Sequence, residues 1–153
     1  ELVIESLDIL ERSLLIKKIE TTSQLEMNRE IKYARMINKS DYLINLNDTA
    51  LEITRKINGL YPRAFINFNN KNMKILSAKI LSIDDLIKKF DIKIAKTKSK
   101  PGEIIGIIKD LGFILTTKTD PILILEIKLE GKKSSTKTQL IQQLKPQLNQ
   151  NLS

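Results

Sequence analysis

The amino-acid sequence predicts a mainly β domain of the α+β class, a small antiparallel barrel, closed or partly open, with flanking helices. Three apolar runs, at 103–108, 112–117 and 122–129, are separated by turn sequences, a pattern typical of an antiparallel meander. Two more apolar segments, 63–68 and 73–81, flank a polar turn and predict a β-hairpin. Because the links are short, we expect the sheet to curl and so protect its edges.

In two of the predicted strands, 122–129 and 73–81, the order of apolar and polar residues predicts which face is buried. In the run 122–129, charged residues occupy positions 126, 128 and 130, which predicts one wet face and one dry face. The dry face would hold Leu123, Leu125, Ile127 and Leu129. In the segment 73–81 the apolar phase shifts, which indicates either a bulge or a strand buried on both faces.

The chain begins with an amphipathic pattern over residues 1–14 and then loses periodicity over 21–30, so we expect a helix followed by a linker. The apolar stripe of this helix has no evident partner: Val3, Leu7, Leu10 and Leu14. A better-marked helix follows Thr49, because Thr49 and Glu52 have the spacing of a capping box and Gly59 provides a stop. The path of residues 15–46 is not predicted.

Two later segments complete the predicted elements. In 82–100, Asp84 and Asp85 indicate a helix start, whereas alternation over 90–94 indicates a short strand that leads into a basic loop. After Lys133, Ser134 or Ser135 is the expected N-cap of a last helix that Pro146 ends. We expect the Gln- and Asn-rich tail beyond it to be loosely held.

The composition excludes much familiar chemistry. The chain has no cysteine and no histidine, so it offers neither thiolate ligands nor an imidazole acid, base or ligand. Its glycines do not form a phosphate-binding loop. We therefore expect no catalytic, cofactor-binding or metal-binding residues in this chain. No membrane span or export signal is visible, so we expect a cytoplasmic protein.

Charge is unevenly distributed along the chain. Residues 1–30 hold seven acids and four bases, a net −3, so residues 31–153 hold eleven acids and twenty-two bases, a net +11. With three tyrosines, four phenylalanines and no tryptophan, this balance favours a polyanion contacted through its phosphates rather than by base stacking. The alternative from composition is a solvated, lysine-rich surface without a partner.

Four short motifs, in order over residues 33–144, resemble the C-terminal part of the methionyl-tRNA formyltransferase family. They are Tyr33-Ala34 with Ile37, Lys39 and Asp41; Ile57-Asn58-Gly59-Leu60-Tyr61-Pro62; Pro101-Gly102-Glu103-Ile104; and Leu125 to Lys133. The resemblance implies an OB-like barrel over 31–153, preceded by the last helix of a catalytic domain and a linker over 1–30. It also implies that the chain is part of a longer protein.

The family resemblance also implies a function. It implies transfer of a formyl group from formyl-tetrahydrofolate to the methionyl amino group of initiator tRNA, performed by a catalytic N-terminal domain outside this chain. The implied partners of this chain are that catalytic domain and initiator tRNA. Formyl-tetrahydrofolate is the formyl donor used by the catalytic domain, so no cofactor is expected in this chain. The chain alone is expected to be inactive. We further expect the stripe of the first helix either to pack on a second copy of this chain or to fold back, since an apolar stripe is seldom left in water.

Basic residues are the candidates for tRNA binding: Arg35, Lys39, Arg63, Lys88, Lys89, Lys93, Lys96, Lys98, Lys100, Lys132 and Lys133. Two positions depart from the family pattern. Arg35 stands where relatives usually have a lysine, and Tyr61-Pro62-Arg63 replaces a Trp-Pro-Gly segment. Two alternatives stay open: the equivalent domain of another formyl-tetrahydrofolate enzyme, such as a sugar-nucleotide formyltransferase, and a free-standing basic interaction module.

Overall fold

A computed structural model describes residues 33–69, 71–90 and 100–152 and the single positions 7 and 11, without the side chains of 83, 85, 88 and 89. The chain forms two compact units, Glu1–Met36 and Ile37–Ser153. In the first unit Leu7 and Glu11 are helical, and Leu7 is 59% exposed. The other stripe residues, the linker 21–30 and the predicted boundary after residue 30 lie outside the described residues.

The second unit is built on a six-stranded antiparallel sheet. Its strands pair in the order β1-β2-β5-β4-β3, with β6 added to β5. Among the described residues no pairing joins β1 to β3, so the sheet does not close into a barrel. The mainly β class, the hairpin and the meander are confirmed. The elements are a 3₁₀ helix Lys39–Tyr42, α1 Ala50–Gly59, β1 Phe65–Phe68, β2 Lys71–Ile80, α2 Ile83–Phe90, β3 Ile104–Ile108, β4 Gly112–Leu115, β5 Ile122–Leu129, β6 Ser135–Thr136 and α3 Lys137–Leu144.

Helix α1 begins where its sequence predicts. The Glu52 N–H donates to Thr49 Oγ1 at 3.3 Å, and the Thr49 N–H donates to Glu52 Oε2 at 2.9 Å. These reciprocal bonds satisfy N–H groups that a helix start leaves without partners. The buried side chains of α1, Ala50, Ile53 and Ile57, face the main core.

Both faces of the sheet bury apolar side chains. On the first face, α1 and α3 cover the main core, which includes Met73, Phe113 and Ile127. On the second face, α2 covers a smaller cluster of Leu81, Leu86, Ile114 and Leu123. The short strand predicted over 90–94 does not begin at Phe90, because Leu86 and Phe90 are spaced one helical turn apart and pack as a helix. Positions 92–94 of that prediction lie outside the described residues.

A bulge changes which residues of β5 share a face. The register shifts twice, because Leu76 of β2 and then Leu125 of β5 have no opposite residue. The irregularity in β2 is one of the two alternatives that the apolar phase of 73–81 predicts. Across the shift, Leu123 and Leu125 join the smaller cluster, while Ile127 lies in the main core with Leu129 packed against it. The prediction of one dry face along β5 is therefore wrong, since a bulge inverts the alternation at this point.

Two predictions near the C-terminus are also corrected. Thr136, not Ser134 or Ser135, is the N-cap of α3, because residues 135–136 first pair with β5 as β6. The tail is held rather than loose: Leu152 is 3% exposed, and its N–H donates to the Gly102 carbonyl at 2.9 Å. These contacts occupy the free edge of β3, a position that sheets tend to cover.

Candidate nucleic-acid interface

One end of the second sheet face carries polar and charged side chains instead of a helix. Phe65 of β1 is opposite Lys74 of β2, and Lys74 is opposite Lys128 of β5. Cross-strand partners project from the same face, so these three side chains form one row across the sheet. The smaller cluster and α2 cover the same face farther along, from Lys79 and Leu81 onward.

The Lys74–Lys128 pair places two positive charges in direct cross-strand opposition. Like charges in this arrangement destabilise a sheet, because their side chains are close together. Lys74 is half-buried and Lys128 is exposed, so water screens this repulsion only in part. An anion between the two ammonium groups would relieve the repulsion, and the row is therefore a candidate anion site.

Three shallow depressions lie along this row and at the end of the sheet, and neighbouring ones share lining residues. The first, of about 350 Å³, shares Asn72 and Lys74 with the second, of about 260 Å³. The second shares Leu129 and Glu130 with the third, of about 340 Å³. Among the described lining residues, Glu130 is the acid and six are bases. We call these six the basic surface: Lys39, Arg63, Lys71, Lys74, Lys128 and Lys132.

Arg63 is held in place on the wall of the first depression. Its Nη1 donates to Tyr42 Oη at 2.9 Å, and its guanidinium carbon lies 5.7 Å from the centre of the Tyr42 ring. That distance is within the range of a cation–π contact. The main chain on either side is also fixed, since the Ile44 N–H donates to the Phe65 carbonyl at 2.8 Å. An exposed guanidinium is thereby presented in one orientation.

The 3₁₀ helix brings Lys39 and Tyr42 to this wall. The Asn38 N–H donates to Asp41 Oδ2 at 2.7 Å and starts the turn. At its other end, Lys56 Nζ donates to the Leu43 carbonyl at 2.9 Å, which ties the segment to α1. These short-range side-chain hydrogen bonds therefore fix the position of Lys39 and Tyr42 in the site.

Three residues predicted from sequence come together on the basic surface: Lys39, Arg63 and Lys132. Lys133 is exposed in the same turn, and Lys100 is exposed before the Pro101 turn, but neither lines a depression. Arg35 belongs to the first unit, and its Nη1 donates to the Met36 carbonyl at 3.0 Å. The remaining candidates have side chains outside the described residues: Lys88, Lys89, Lys93, Lys96 and Lys98.

Sequence reasoning missed Tyr42, Lys71, Lys74 and Lys128 as members of this site. Lys128 belongs to the predicted wet face of its strand, but its opposition to Lys74 depends on how β2 pairs with β5 and is visible only in the sheet. In the described part of the chain, no group of three or more acids is placed to hold a metal ion, and no described helix is long and apolar enough to cross a membrane.

Comparison with known proteins gives matches over most of the chain. A family profile described as formyl transferase, C-terminal domain, matches residues 36–145. A methionyl-tRNA formyltransferase from Prochlorococcus marinus subsp. pastoris is 54% identical over 141 residues, which cover 92% of this chain and 41% of the relative. The same enzyme from Prochlorococcus marinus strain MIT 9215 is 47% identical, over 98% of this chain and 46% of the relative. The chain thus spans less than half the length of these relatives.

A similar fold occurs in a solved structure. The crystal structure of a HypX variant from Aquifex aeolicus superposes with a TM-score of 0.51 and 16% sequence identity. The match covers 93% of this chain and 22% of HypX. It supports the arrangement of strands and helices described above.

Proposed function

The chain belongs to the family of formyl transferase C-terminal domains, and from this premise we propose that it is the tRNA-binding region of a methionyl-tRNA formyltransferase. The names of its relatives favour this enzyme over a sugar-nucleotide formyltransferase. In the proposed role, a catalytic domain elsewhere in the protein transfers the formyl group from formyl-tetrahydrofolate to methionyl-tRNA. This chain contributes binding and no catalytic residue.

The basic surface is the observation that carries the proposal. Its six bases surround a single described acid, and two of them oppose each other across the sheet. Such a surface can bind the phosphates of a nucleic acid, because basic side chains that neutralise phosphates release the counterions bound to them. If all six bases contacted phosphates, the slope of log affinity against log salt would be as steep as roughly −4 to −5.

The test is fluorescence anisotropy with labelled initiator tRNA and the full chain over a range of salt concentrations. Lys74→Ala and Lys132→Ala should each make the slope shallower by about 0.7 to 0.9, as expected for one lost phosphate contact. Lys79→Ala and Lys109→Ala are the controls, because they remove exposed lysines outside the depressions, one from the strand of Lys74 and one from a different turn. Binding that is indifferent to salt, or equal losses in the controls, would contradict the proposal.

The partner domain, the cellular location and the self-association of the chain remain predictions that follow from the proposed function. We propose the catalytic domain of the same protein as a partner of the first unit, and a cytoplasmic location. The expected pairing of two copies through Val3, Leu7, Leu10 and Leu14 is checked by sedimentation equilibrium. A chain that stays monomeric at high concentration would rule this pairing out.

A further inference from the structure

We propose that the depression between Tyr42 and Lys74 binds one unstacked nucleotide of the RNA, with the base against the aromatic and guanidinium groups and the phosphate on the lysines. This inference rests on the proposed function and names a specific subsite within the basic surface. It adds base stacking to a surface for which the composition predicts phosphate contacts alone.

The floor of this depression is aromatic. Phe65 lines it and is 9% exposed, and among the described residues it joins neither of the two hydrophobic clusters of the sheet. Its position opposite Lys74 places it on the second sheet face, where the row of lysines begins. A buried phenylalanine outside both cores therefore provides an apolar surface at the base of a basic site.

The walls suit a planar ligand. Tyr42 is half-buried, and its hydroxyl accepts a hydrogen bond from Arg63 at 2.9 Å, which uses one of the five guanidinium N–H donors. Unpaired RNA bases stack on aromatic rings and on arginine planes. Because Arg63 is already oriented by Tyr42, little side-chain freedom is lost on binding.

The size and charge of the depression fit a nucleotide better than a bare phosphate. Its volume of about 350 Å³ is within the range of small-molecule sites, roughly 300–1,000 Å³. Lys39 and Lys74 supply positive charge on its lining, and Asn72 supplies an amide that both donates and accepts hydrogen bonds. A phosphate alone would leave the aromatic floor unused, whereas a nucleotide uses both parts.

The first experiment compares adenosine 5′-monophosphate with ribose 5-phosphate by NMR titration of the ¹⁵N-labelled full chain. These probes carry the same phosphate and differ in the base. The nucleotide should bind about 5- to 150-fold more tightly, as expected for one stacked base, and should shift the amides of residues 42, 63 and 74. Equal affinities, or shifts confined to other parts of the chain, would overturn the inference.

Substitutions separate stacking from charge. Arg63→Lys keeps the charge and removes one planar group of the subsite, so the advantage of the nucleotide over ribose 5-phosphate should shrink. Tyr42→Ala should have the same effect, and circular dichroism shows whether that variant is folded. Tyr61→Ala is the control, since Tyr61 is 61% exposed and does not line the depression. An unchanged advantage in folded Arg63→Lys counts against the site.

A second experiment distinguishes this inference from the proposed function. Two linear RNA duplexes of equal length are compared, one fully paired and one with a single mismatched base pair that leaves its nucleotides unpaired. Preference for the second duplex, reduced in Arg63→Lys without a change in salt slope, supports the subsite. Equal binding with a steep salt slope refutes the subsite and leaves the proposed function standing. Equal binding without salt dependence refutes both.

Discussion

Replacing Lys128 by glutamate should stabilise the domain and weaken its binding to RNA. The substitution turns the cross-strand Lys74–Lys128 pair into a pair of opposite charges. An unfavourable pair and a favourable pair each contribute roughly 0.2–1 kcal/mol, so the change should raise the free energy of unfolding by about 1 kcal/mol at low salt. For a chain of this length that corresponds to a melting temperature about 2–4 °C higher.

The same substitution should weaken the binding of tRNA although it stabilises the domain. One phosphate contact is removed, so the salt slope for tRNA should become shallower by about 0.7 to 0.9. A residue whose replacement improves stability and impairs binding is typical of a functional site, because such sites retain unfavourable interactions for their ligands.

Urea unfolding followed by far-ultraviolet circular dichroism measures the first effect, and fluorescence anisotropy measures the second. The control is Lys79→Glu, which changes the net charge equally but faces Leu123 across the strands and should alter stability by less than about 0.5 kcal/mol. The gain in Lys128→Glu should shrink in about 1 M salt, where charges are screened within about 3 Å. A Lys128→Glu variant that is no more stable than the natural chain at low salt would refute the reasoning.

Two further predictions concern the framework of the domain. The side-chain and backbone hydrogen bonds from Thr49 lower the pKa of Glu52 below its ordinary value of 4.5. The stability that this lowered pKa provides is present above that value and is lost as the pH falls. Glu52→Gln cannot titrate here, so between about pH 7 and about pH 3 it should lose less stability than the natural chain. The midpoints of urea unfolding at the two pH values measure this difference. A Cβ at Gly112 would overlap the Ile124 carbonyl oxygen, so Gly112→Ala should destabilise by about 1–3 kcal/mol or more in thermal unfolding. Gly59→Ala, where a Cβ meets nothing within 4 Å, should be neutral or stabilising by up to about 1 kcal/mol; similar losses at both positions would contradict the steric argument.

Features set by neighbouring residues were predictable from sequence. The capping box of Thr49 and Glu52 needs four consecutive positions, and it forms as predicted. The hairpin and the meander follow from turn residues between apolar runs, and both are confirmed. The bulge in β2 was visible as a shift in the apolar phase of a single strand. Each of these depends on a short stretch of chain, so the sequence contains the whole signal.

The mainly β class, the basic character of residues 31–153 and the family resemblance all follow from the order of amino acids. Which basic residues come together depends on how the strands pair. Lys74 and Lys128 are 54 positions apart, and their opposition depends on the register in which β2 pairs with β5. Likewise, Tyr42 reaches Arg63 only because residues 43 and 65 pair as a bridge. Pairing between distant strands is fixed by packing on both faces of the sheet, and no local pattern of residues specifies it.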